Sequence, residues 1–305
     1  MRTSALLLAI FLLLLPACSA DKAPSFSDTW DDGNAELSGY KLTFPRNDQH
    51  REGTLVTIFA TEQFSKKERV KTDKGQAHTS DIMSVIKLNL IKNFRTGIND
   101  YHMMTSVFAA VDRFQDRAPG APLKVSFSAQ EWNGSQYAEL LFYGNNRMSY
   151  DLSSYFFGES LQEKPMPYPA NGITEDQLPM VVRGMPQPVI EPGQSKQVQF
   201  LPSLERAALS HDELSWQHAM LSMDARTHTV AVPAGRFKAH RYTLTSSTGP
   251  NLEFFVETAL PHRIVQYKAD DGERWELKAT KRMPYWELNN NGDERYLDEL
   301  GLGNR

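Results

Sequence analysis

The residues best suited to chemistry lie in two short stretches that mix carboxylate, amide, hydroxyl and aromatic side chains. The first runs from Asp100 to Ser106, and the second is Gln130-Glu131-Trp132. Neither follows a simple alternation of apolar and polar residues, which indicates more than a plain structural strand. If the strands that carry them are neighbours, these groups converge at one end of a sheet. The predicted ligand-binding residues are Tyr101, Met104, Ser106, Gln130, Glu131 and Trp132.

In this predicted site the rings of Tyr101 and Trp132 stack on a ligand, and the amide, carboxylate and hydroxyl groups form hydrogen bonds with it. The structural alternative is a satisfied polar network that pins a connecting loop, with Trp132 and both methionines in the core. A third reading, hydrolysis of an envelope polymer, requires Glu131 and Glu139 to face each other across a cleft of ~5–10 Å. We expect a protein that is not an enzyme.

Sequence motifs for the common catalytic and cofactor sites are missing. The chain contains no Gly-x-Ser-x-Gly, His-Glu-x-x-His, Gly-x-Gly-x-x-Gly or P-loop, and its one cysteine rules out a thiolate zinc site. Ser210-His211-Asp212 has the residue types of a catalytic triad, but triads assemble in space, so a cap on a turn or short helix is the better reading. Residues 289–294 are rich in oxygen ligands without the order of a calcium loop. We predict no cofactor and no metal.

Cys18 follows a short apolar segment near the start of the chain. Arg2 provides a positive charge, and Ala5–Leu15 form an apolar run too short to cross a ~30 Å hydrocarbon core. Leu15-Pro16-Ala17-Cys18 resembles the lipobox of bacterial lipoproteins, in which the cysteine is diacylated and becomes the new N-terminus. The alternative is an ordinary signal peptide cleaved near Ala20. Lipidation at Cys18 predicts attachment to the cell envelope, and Ser19 beside it favours the outer membrane, facing the periplasm.

Composition narrows the possible partners. The 305 residues carry 33 basic and 37 acidic side chains, a net charge of −4, which is not the basic footprint of a nucleic-acid-binding protein. We therefore expect a membrane contact through the N-terminal lipid, and no nucleic acid. With Cys18 modified no disulfide can form, so the fold depends on its hydrophobic core.

Alternation of apolar and polar residues dominates the chain after the N-terminal segment and predicts antiparallel strands, for example over 40–44, 86–90, 123–128 and 275–279. Asp271-Gly272 is a strong hairpin signal. Thr174 and Gln177 form a capping box that opens a short helix over 175–183, with further helical turns expected at 204–208 and 296–300. The fold class predicted is all-β with a few short helices, as an extended, curved antiparallel sheet or open half-barrel.

The predicted organisation has five parts. They are a signal peptide (1–17), a tether (18–33), an N-terminal β region (34–164), a proline-rich connection (165–195) and a C-terminal β region (196–305). The connection need not be a domain boundary, and the alternative is that it crosses the mouth of a continuous sheet.

Two parts of the chain resemble known families. The chain resembles a family of uncharacterised bacterial envelope lipoproteins in several short sequence motifs and in their order, among them Lys87-Leu88-Asn89, Thr96-Gly97-Ile98 and Gln130-Glu131-Trp132. Val232–Ala239, together with the aromatic and Pro-His-Arg-Ile-Val strands after it, looks like the periplasmic domain of unknown function 3108. That resemblance implies a curved sheet similar to the lipoprotein carriers, whose concave face holds a lipid or other hydrophobic ligand. The alternative function is a non-enzymatic scaffold that docks another envelope protein, with its edge strands suited to strand addition.

Overall fold

Fifteen strands form one sheet in the computed structural model, which describes residues 26–159 and 162–303. The first eight strands are β1 (Ala35–Arg46), β2 (Gln49–Ser65), β3 (Ile82–Thr96), β4 (Asn99–Ala110), β5 (Pro122–Glu131), β6 (Gly134–Tyr143), β7 (Arg147–Ser154) and β8 (Gln162–Pro167). The other seven are β9 (Gly172–Thr174), β10 (Ser195–Leu201), β11 (Gln217–Val232), β12 (Gly235–Ser246), β13 (Leu252–Glu257), β14 (Ile264–Ala269) and β15 (Arg274–Met283). The short α-helices within the described residues are α1 (Phe26–Trp30), α2 (Leu178–Val181), α3 (Leu204–Ser210) and α4 (Tyr296–Glu299).

The short connection between the two edge strands requires the sheet to curve. The strand order is β8-β7-β6-β5-β4-β3-β2-β1-β15-β14-β13-β12-β11-β10-β9, so β1 and β15 pair in the middle while β8 and β9 are the two edges. A flat sheet of fifteen strands would be roughly 65–70 Å wide at ~4.8 Å a strand. Yet Pro167 and Gly172 are joined by four residues that can span at most about 18 Å. The sheet therefore curls until its edges nearly meet, but it stays open between them, which confirms the predicted curved all-β fold.

Because all pairs but β9–β10 are antiparallel, the connections divide between two ends. We call one end the mouth: it carries the connections β1–β2, β3–β4, β5–β6, β7–β8, β10–β11, β12–β13 and β14–β15. The opposite end, the base, carries the other connections and helix α1. The predicted Asp271-Gly272 hairpin lies at the mouth, and its Gly272 has φ +101°, a left-handed conformation that favours glycine.

The proline-rich connection fills the interior. Its capping box forms as predicted, with Thr174 Oγ1 accepting from the Gln177 amide and the Gln177 side chain accepting from the Thr174 amide. Near the mouth Glu175 accepts a hydrogen bond from Arg206, and near the base Arg183 pairs with Glu36. Residues 174–184, which we call the interior segment, thus run lengthwise through the curled sheet instead of crossing its mouth.

The core is the concave face of the sheet and the interior segment packed on it. Inward side chains such as Leu42, Phe59, Leu88, Phe127 and Leu277 are fully or almost fully buried, in the phase that the alternation predicts. Each contributes roughly 1.5–3 kcal/mol to folding by leaving water. The free concave face expected of a lipid carrier is therefore largely occupied by the protein itself.

The N-terminal tether and the C-terminal helix can also be compared with the sequence expectations. The tether predicted to reach residue 33 ends earlier, because Trp30 of α1 is buried against Phe59 with 6.3 Å between ring centroids. The C-terminal helix is present as α4, and Gly301 follows it with φ +68°. Cys18 and the signal segment lie outside the described residues. No helix in the described ranges is both long and apolar enough to span a membrane.

Candidate functional site

A cavity of about 350 Å³ opens at the mouth between β1, β10, helix α3 and the β12–β13 connection. One wall is apolar and the floor is charged. The apolar lining residues are Phe44, Pro45, Phe200, Pro202, Ala207, Leu209, Leu214 and Pro250. The charged residues at the floor and rim are Arg46, Glu175, Glu205, Arg206, Asp212, Glu213, Asp271 and Glu273. Small-molecule sites are usually lined mainly by apolar residues with a small number of polar groups, so this cavity is more highly charged than most.

Helix α3 is held in the mouth by its own N-terminus. Ser203 is the N-cap, and its Oγ accepts a hydrogen bond from the Arg206 amide at 3.1 Å. Glu175 and Asp176 of the interior segment accept from the Ser203 and Leu204 amides at 3.1 and 3.2 Å. These bonds satisfy amide groups that a helix start leaves without partners. The interior segment thereby determines where α3 sits.

Lys92 of β3 forms a buried ion-pair cluster beneath the cavity. Its Nζ lies 2.6 Å from Glu205 Oε1 and 2.5 Å from Glu273 Oε1. Burial lowers the pKa of Lys92, but the two carboxylates outweigh this and raise it, so the ammonium stays charged. The Trp275 indole donates a further hydrogen bond to Glu273 at 2.7 Å. The cluster joins α3 to β3 and to the β14–β15 connection.

Arg206 links the same elements from the cavity side. Its guanidinium donates to Glu175 Oε1 at 2.6 Å, to Tyr267 Oη at 3.2 Å and to Asp271. Burial lowers the pKa of Arg206, yet the surrounding carboxylates raise it above the usual range. The carboxylates nearest the cavity are therefore compensated by Lys92 or Arg206, and they serve first to hold α3 against the sheet.

Asp176 differs from its neighbours because its carboxyl group forms no ion pair with any residue that the structure describes. Burial, and next the charge of Glu175, raise its pKa to about 8, so it keeps its proton at neutral pH. It borders a second cavity of about 40 Å³, together with Lys92, Thr105 and Glu205. This volume is enough for one or two water molecules among polar partners.

The alternation of apolar and polar residues could by itself have predicted that Lys92 and Glu273 belong to a buried cluster. Lys92 is in phase with the inward residues Ile86, Leu88 and Leu90, and Glu273 is in phase with Trp275. A charged residue at an inward position must be paired, since the free-energy cost of burying an unpaired charge far exceeds what one residue of a strand contributes to stability. The phase identifies the residues, but it does not say which carboxylate meets which cation.

The sequence-predicted site residues are divided between the two faces of the sheet. Strands β3, β4 and β5 are neighbours as expected. Tyr101 and Glu131 belong to the inward set, whereas Met104, Ser106 and Gln130 belong to the outward set. Ser106 Oγ donates to Asn89 Oδ1 at 2.8 Å on that outer face. The structure therefore does not bring the six residues together into one site.

The side chains of Trp132 and Tyr101 also differ in how far they are exposed to solvent. Trp132 lies at the β5–β6 tip and is 65% exposed, while Tyr101 is buried. One face of the Tyr101 ring stacks on Phe94, with 4.8 Å between centroids, and the Arg46 guanidinium lies 5.8 Å from its centre. Burial raises the pKa of the Tyr101 hydroxyl. Only Trp132 of the two rings is available for stacking on a ligand.

Glu131 is the centre of a network that connects three hairpins. Its carboxylate accepts from Asn99 and Asn133 at 3.2 Å each and from Tyr155 at 2.8 Å. Burial raises the pKa of Glu131, but the hydrogen bonds from Tyr101, Tyr155 and the two amides outweigh it and lower the pKa. This geometry matches the structural alternative of a polar network that pins a loop.

The positions of the side chains argue against two other hypotheses from the sequence, a catalytic pair of Glu131 with Glu139 and a triad at Ser210-His211-Asp212. Glu139 pairs with Lys124 at 2.5 Å on the outer face, opposite to the inward Glu131, so these two carboxylates cannot flank one bond. Ser210 and His211 end α3: Ser210 Oγ donates to the Arg206 carbonyl, and His211 Nδ1 lies 2.7 Å from Glu159. Ser210-His211-Asp212 is thus a helix end. Within the described residues, no cluster of three or more His, Cys, Asp or Glu is placed to bind a metal.

The two edges of the sheet are poorly suited to strand addition. Edge strand β8 contains Pro165 and Pro167, which lack the amide that a partner strand would need, and β9 has three residues. The Trp216 indole bridges the opening by donating to the Pro167 carbonyl at 2.8 Å. These features disfavour the predicted docking of a partner through an added strand.

No family model matches the chain, and no curated protein matches it. Among solved structures, the chain is similar to a β-barrel-like protein of domain of unknown function DUF1849 from Brucella abortus, with 10% identity over 82% of this chain and 98% of that one and a TM-score of 0.45. It is also similar to a DUF1089 family protein from Pseudomonas aeruginosa, with 9% identity over 60% and 83% and a TM-score of 0.36. The resemblance of 232–272 to domain 3108 stays a prediction.

Proposed function

We propose that this chain is a lipid-anchored, non-enzymatic protein of the bacterial cell envelope that binds a small hydrophobic or amphiphilic molecule in the mouth cavity. The observation that carries the proposal is the apolar wall of that cavity, open to solvent at one end and bounded by charged groups at the other. Its volume of about 350 Å³ is at the lower end of the range for small-molecule sites.

The filled interior limits where such a ligand can bind. The interior segment and α3 occupy the concave face along which a carrier would hold an acyl chain, and both are held by buried hydrogen bonds and ion pairs. A ligand that left them in place would therefore be confined to the mouth. The charged rim favours a molecule with a polar group beside its apolar part.

The position of the N-terminus supports envelope attachment with the mouth exposed. Helix α1 lies at the base, where Arg282 donates to the Thr29 carbonyl at 2.8 Å. Eight residue steps separate Cys18 from Phe26, a reach of at most about 28 Å. A lipid on Cys18 would accordingly hold the base near the membrane and leave the mouth accessible from the periplasm, in the outer-membrane location inferred from Ser19.

The test is the recovery and displacement of a ligand from the protein expressed in the periplasm with an ordinary cleavable signal peptide in place of residues 1–18. Organic extracts should contain one apolar or amphiphilic molecule per chain, identified by mass spectrometry. The delipidated protein should bind N-phenyl-1-naphthylamine at one site, with a rise in fluorescence. Leu209→Trp, which fills the cavity, should weaken that binding at least tenfold.

Leu297→Trp is the matched control, because Leu297 is a half-exposed leucine on α4, away from the mouth. It should bind the probe as the unchanged protein does. An empty protein in which the two tryptophan variants bind the probe equally would overturn the cavity as the ligand site. Absence of diacylglycerol on Cys18, measured by mass spectrometry of the full-length product, would overturn the lipid anchor.

A further inference from the structure

The rim of the mouth is divided into an apolar arc and an acidic arc. Three consecutive hairpin tips, β3–β4, β5–β6 and β7–β8, present Ile98, Trp132 and Phe157, which are 77%, 65% and 106% exposed. We call these the apolar arc. Tips of neighbouring hairpins are two strand spacings apart, so the arc is a row ~20 Å long. Three large exposed apolar side chains on successive tips of one rim are more than the singly scattered residues that are usual on a surface that contacts only water.

The network around Glu131 holds this row in a defined shape. Asn99 next to Ile98 accepts from the Trp132 amide at 2.9 Å and donates to Glu131. Tyr155, two residues before Phe157, donates to the same carboxylate, and its ring lies so close to Gly134 that a Cβ there would be 2.5 Å from it. The three tips are thus cross-linked to one another. A preorganised row loses less conformational entropy on binding than flexible loops would.

The rest of the rim carries five exposed carboxylates, together with the cations Arg46 and Arg274. Asp48 at the β1–β2 tip, Asp270 and Asp271 at the β14–β15 tip, and Asp212 and Glu213 before β11 are all exposed. Arg206 pairs with Asp271, and Lys164 pairs with Glu213. The other three carboxylates form no ion pair in the described part of the chain. We call these five residues the acidic arc, and it follows the apolar arc around the mouth.

We propose that the two arcs form a docking surface for a basic amphipathic helix of a partner protein. The apolar arc would contact the apolar face of the helix, and the acidic arc would attract its lysine and arginine side chains. A row of ~20 Å corresponds to about 13 helical residues, or between three and four turns. The acidic arc makes an anionic membrane surface a poor match, because like charges would be brought together.

The probe is a fluorescein-labelled 18-residue peptide of leucine and lysine, with leucines at helical spacing on one face. We expect it to bind the protein lacking residues 1–18, as measured by fluorescence anisotropy, and to be weakened by salt. A peptide of the same composition in scrambled order, and one with glutamate in place of lysine, should bind at least tenfold more weakly.

Variants of each arc separate the two contributions. Trp132→Ala with Phe157→Ala should weaken binding of the peptide at least tenfold, whereas Trp286→Ala, an exposed tryptophan away from the mouth, should not. Asp212→Asn with Asp270→Asn should weaken binding and reduce its salt dependence. Glu191→Gln with Glu287→Gln changes net charge equally away from the rim and should leave binding unaltered.

Equal binding of the lysine and glutamate peptides, or rim variants that bind as the unchanged protein does, would overturn the docking surface. So would binding to vesicles of phosphatidylcholine with 30% phosphatidylglycerol that depends on Trp132 and Phe157, which would make the apolar arc a membrane contact. Asp212 lines the cavity as well as the rim, but Trp132 and Phe157 do not line it, so naphthylamine binding by Trp132→Ala with Phe157→Ala reads the cavity separately from the apolar arc. Failure of one proposal therefore leaves the other standing.

Discussion

Arg183 and Glu36 form an ion pair in the interior, with 2.7 Å between Nη1 and Oε1 and each side chain only 1% exposed. The pair connects the interior segment to β1 near the base. Arg183 also donates to the Pro261 carbonyl at 3.0 Å, and its guanidinium lies 4.3 Å from the centre of the Phe59 ring. The end of the interior segment is therefore attached to two distant parts of the sheet by one side chain.

Removing one partner of this pair should be costly, because the other charge is left buried. We expect Glu36→Gln to lower the free energy of unfolding by about 3–5 kcal/mol, measured by urea denaturation. The double variant Glu36→Leu with Arg183→Met should recover most of the loss, since no charge then remains in the interior. Glu36→Leu and Arg183→Met are also measured singly. If their two effects on the free energy of unfolding simply add up to that of the double variant, a direct interaction is contradicted.

Lys92 should show the same asymmetry together with a dependence on pH. In Lys92→Met, Glu205 loses the cation that lowers its pKa, so its folded-state pKa, which burial already raises, should rise further above the unfolded value of ~4.3. Stability from such groups is fully present below that value and is lost as pH rises. We therefore expect Lys92→Met to be destabilised by several kcal/mol at pH 7.5 and much less at pH 4.5.

Lys41→Met provides the matched control for that measurement. Lys41 pairs with Glu52 at 3.0 Å on an exposed part of the sheet, so its loss should change the free energy of unfolding by less than about 0.5 kcal/mol at either pH. A Lys92 variant with the same small, pH-independent effect would show that the buried cluster is not needed to hold α3.

Asp176 should make the protein less stable as pH rises. Its folded pKa of about 8 lies above the ordinary 3.8, so the folded state holds one proton more than the unfolded state between these values. The free energy of unfolding should fall by up to about 1.4 kcal/mol per pH unit in that window on account of this group. Asp176→Asn should remove this slope and be more stable than the unchanged protein at pH 7.

The extra stability of Asp176→Asn relative to the unchanged protein should shrink as pH falls and approach zero below about pH 3, where the carboxyl group is neutral in the unfolded state as well. Chemical denaturation at several pH values measures this difference. A variant that runs parallel to the unchanged protein from pH 4 to pH 8 would mean that Asp176 ionises normally in the folded state.

Glu131 should act mainly on stability, and on binding at the rim only through the order of the three hairpin tips. Glu131→Gln loses charge-assisted hydrogen bonds from Tyr155 and two amides, and we expect a loss of about 1–3 kcal/mol at pH 7. Because its pKa is lowered in the folded state, this contribution is present above the unfolded pKa and is lost as pH falls. Affinity for the leucine–lysine peptide should fall by no more than about threefold, because the tips lose part of their order but keep their apolar side chains.

Glu139→Gln is the comparison, because Glu139 pairs with Lys124 on the outer face of neighbouring strands. It should neither alter peptide binding nor show the same dependence on acid. If Glu131→Gln instead kept its stability and abolished peptide binding, Glu131 would contact the partner directly, as in the ligand-binding reading of the sequence.

Much of the fold followed from local patterns in the sequence. Alternation placed Leu42, Leu88 and Leu277 inward, the Thr174–Gln177 capping box started the helical turn where expected, and Asp271-Gly272 formed its hairpin. These features are predictable because each depends on the pleat of one strand or on hydrogen bonds across a few residues. The same alternation carried the division of the predicted site, since Tyr101 and Ser106 differ by an odd number of positions.

Only the tertiary structure decided which distant residues meet. The pairing of β1 with β15, the route of residues 174–184 through the interior, and the contacts of Lys92 with Glu205 and Glu273 join segments more than 100 residues apart. A local period states that a charged side chain points inward, but not which cation reaches it. Curvature, too, depends on all fifteen strands at once, because the four-residue link keeps the two edges of the sheet close together and the interior segment then fills the concave face.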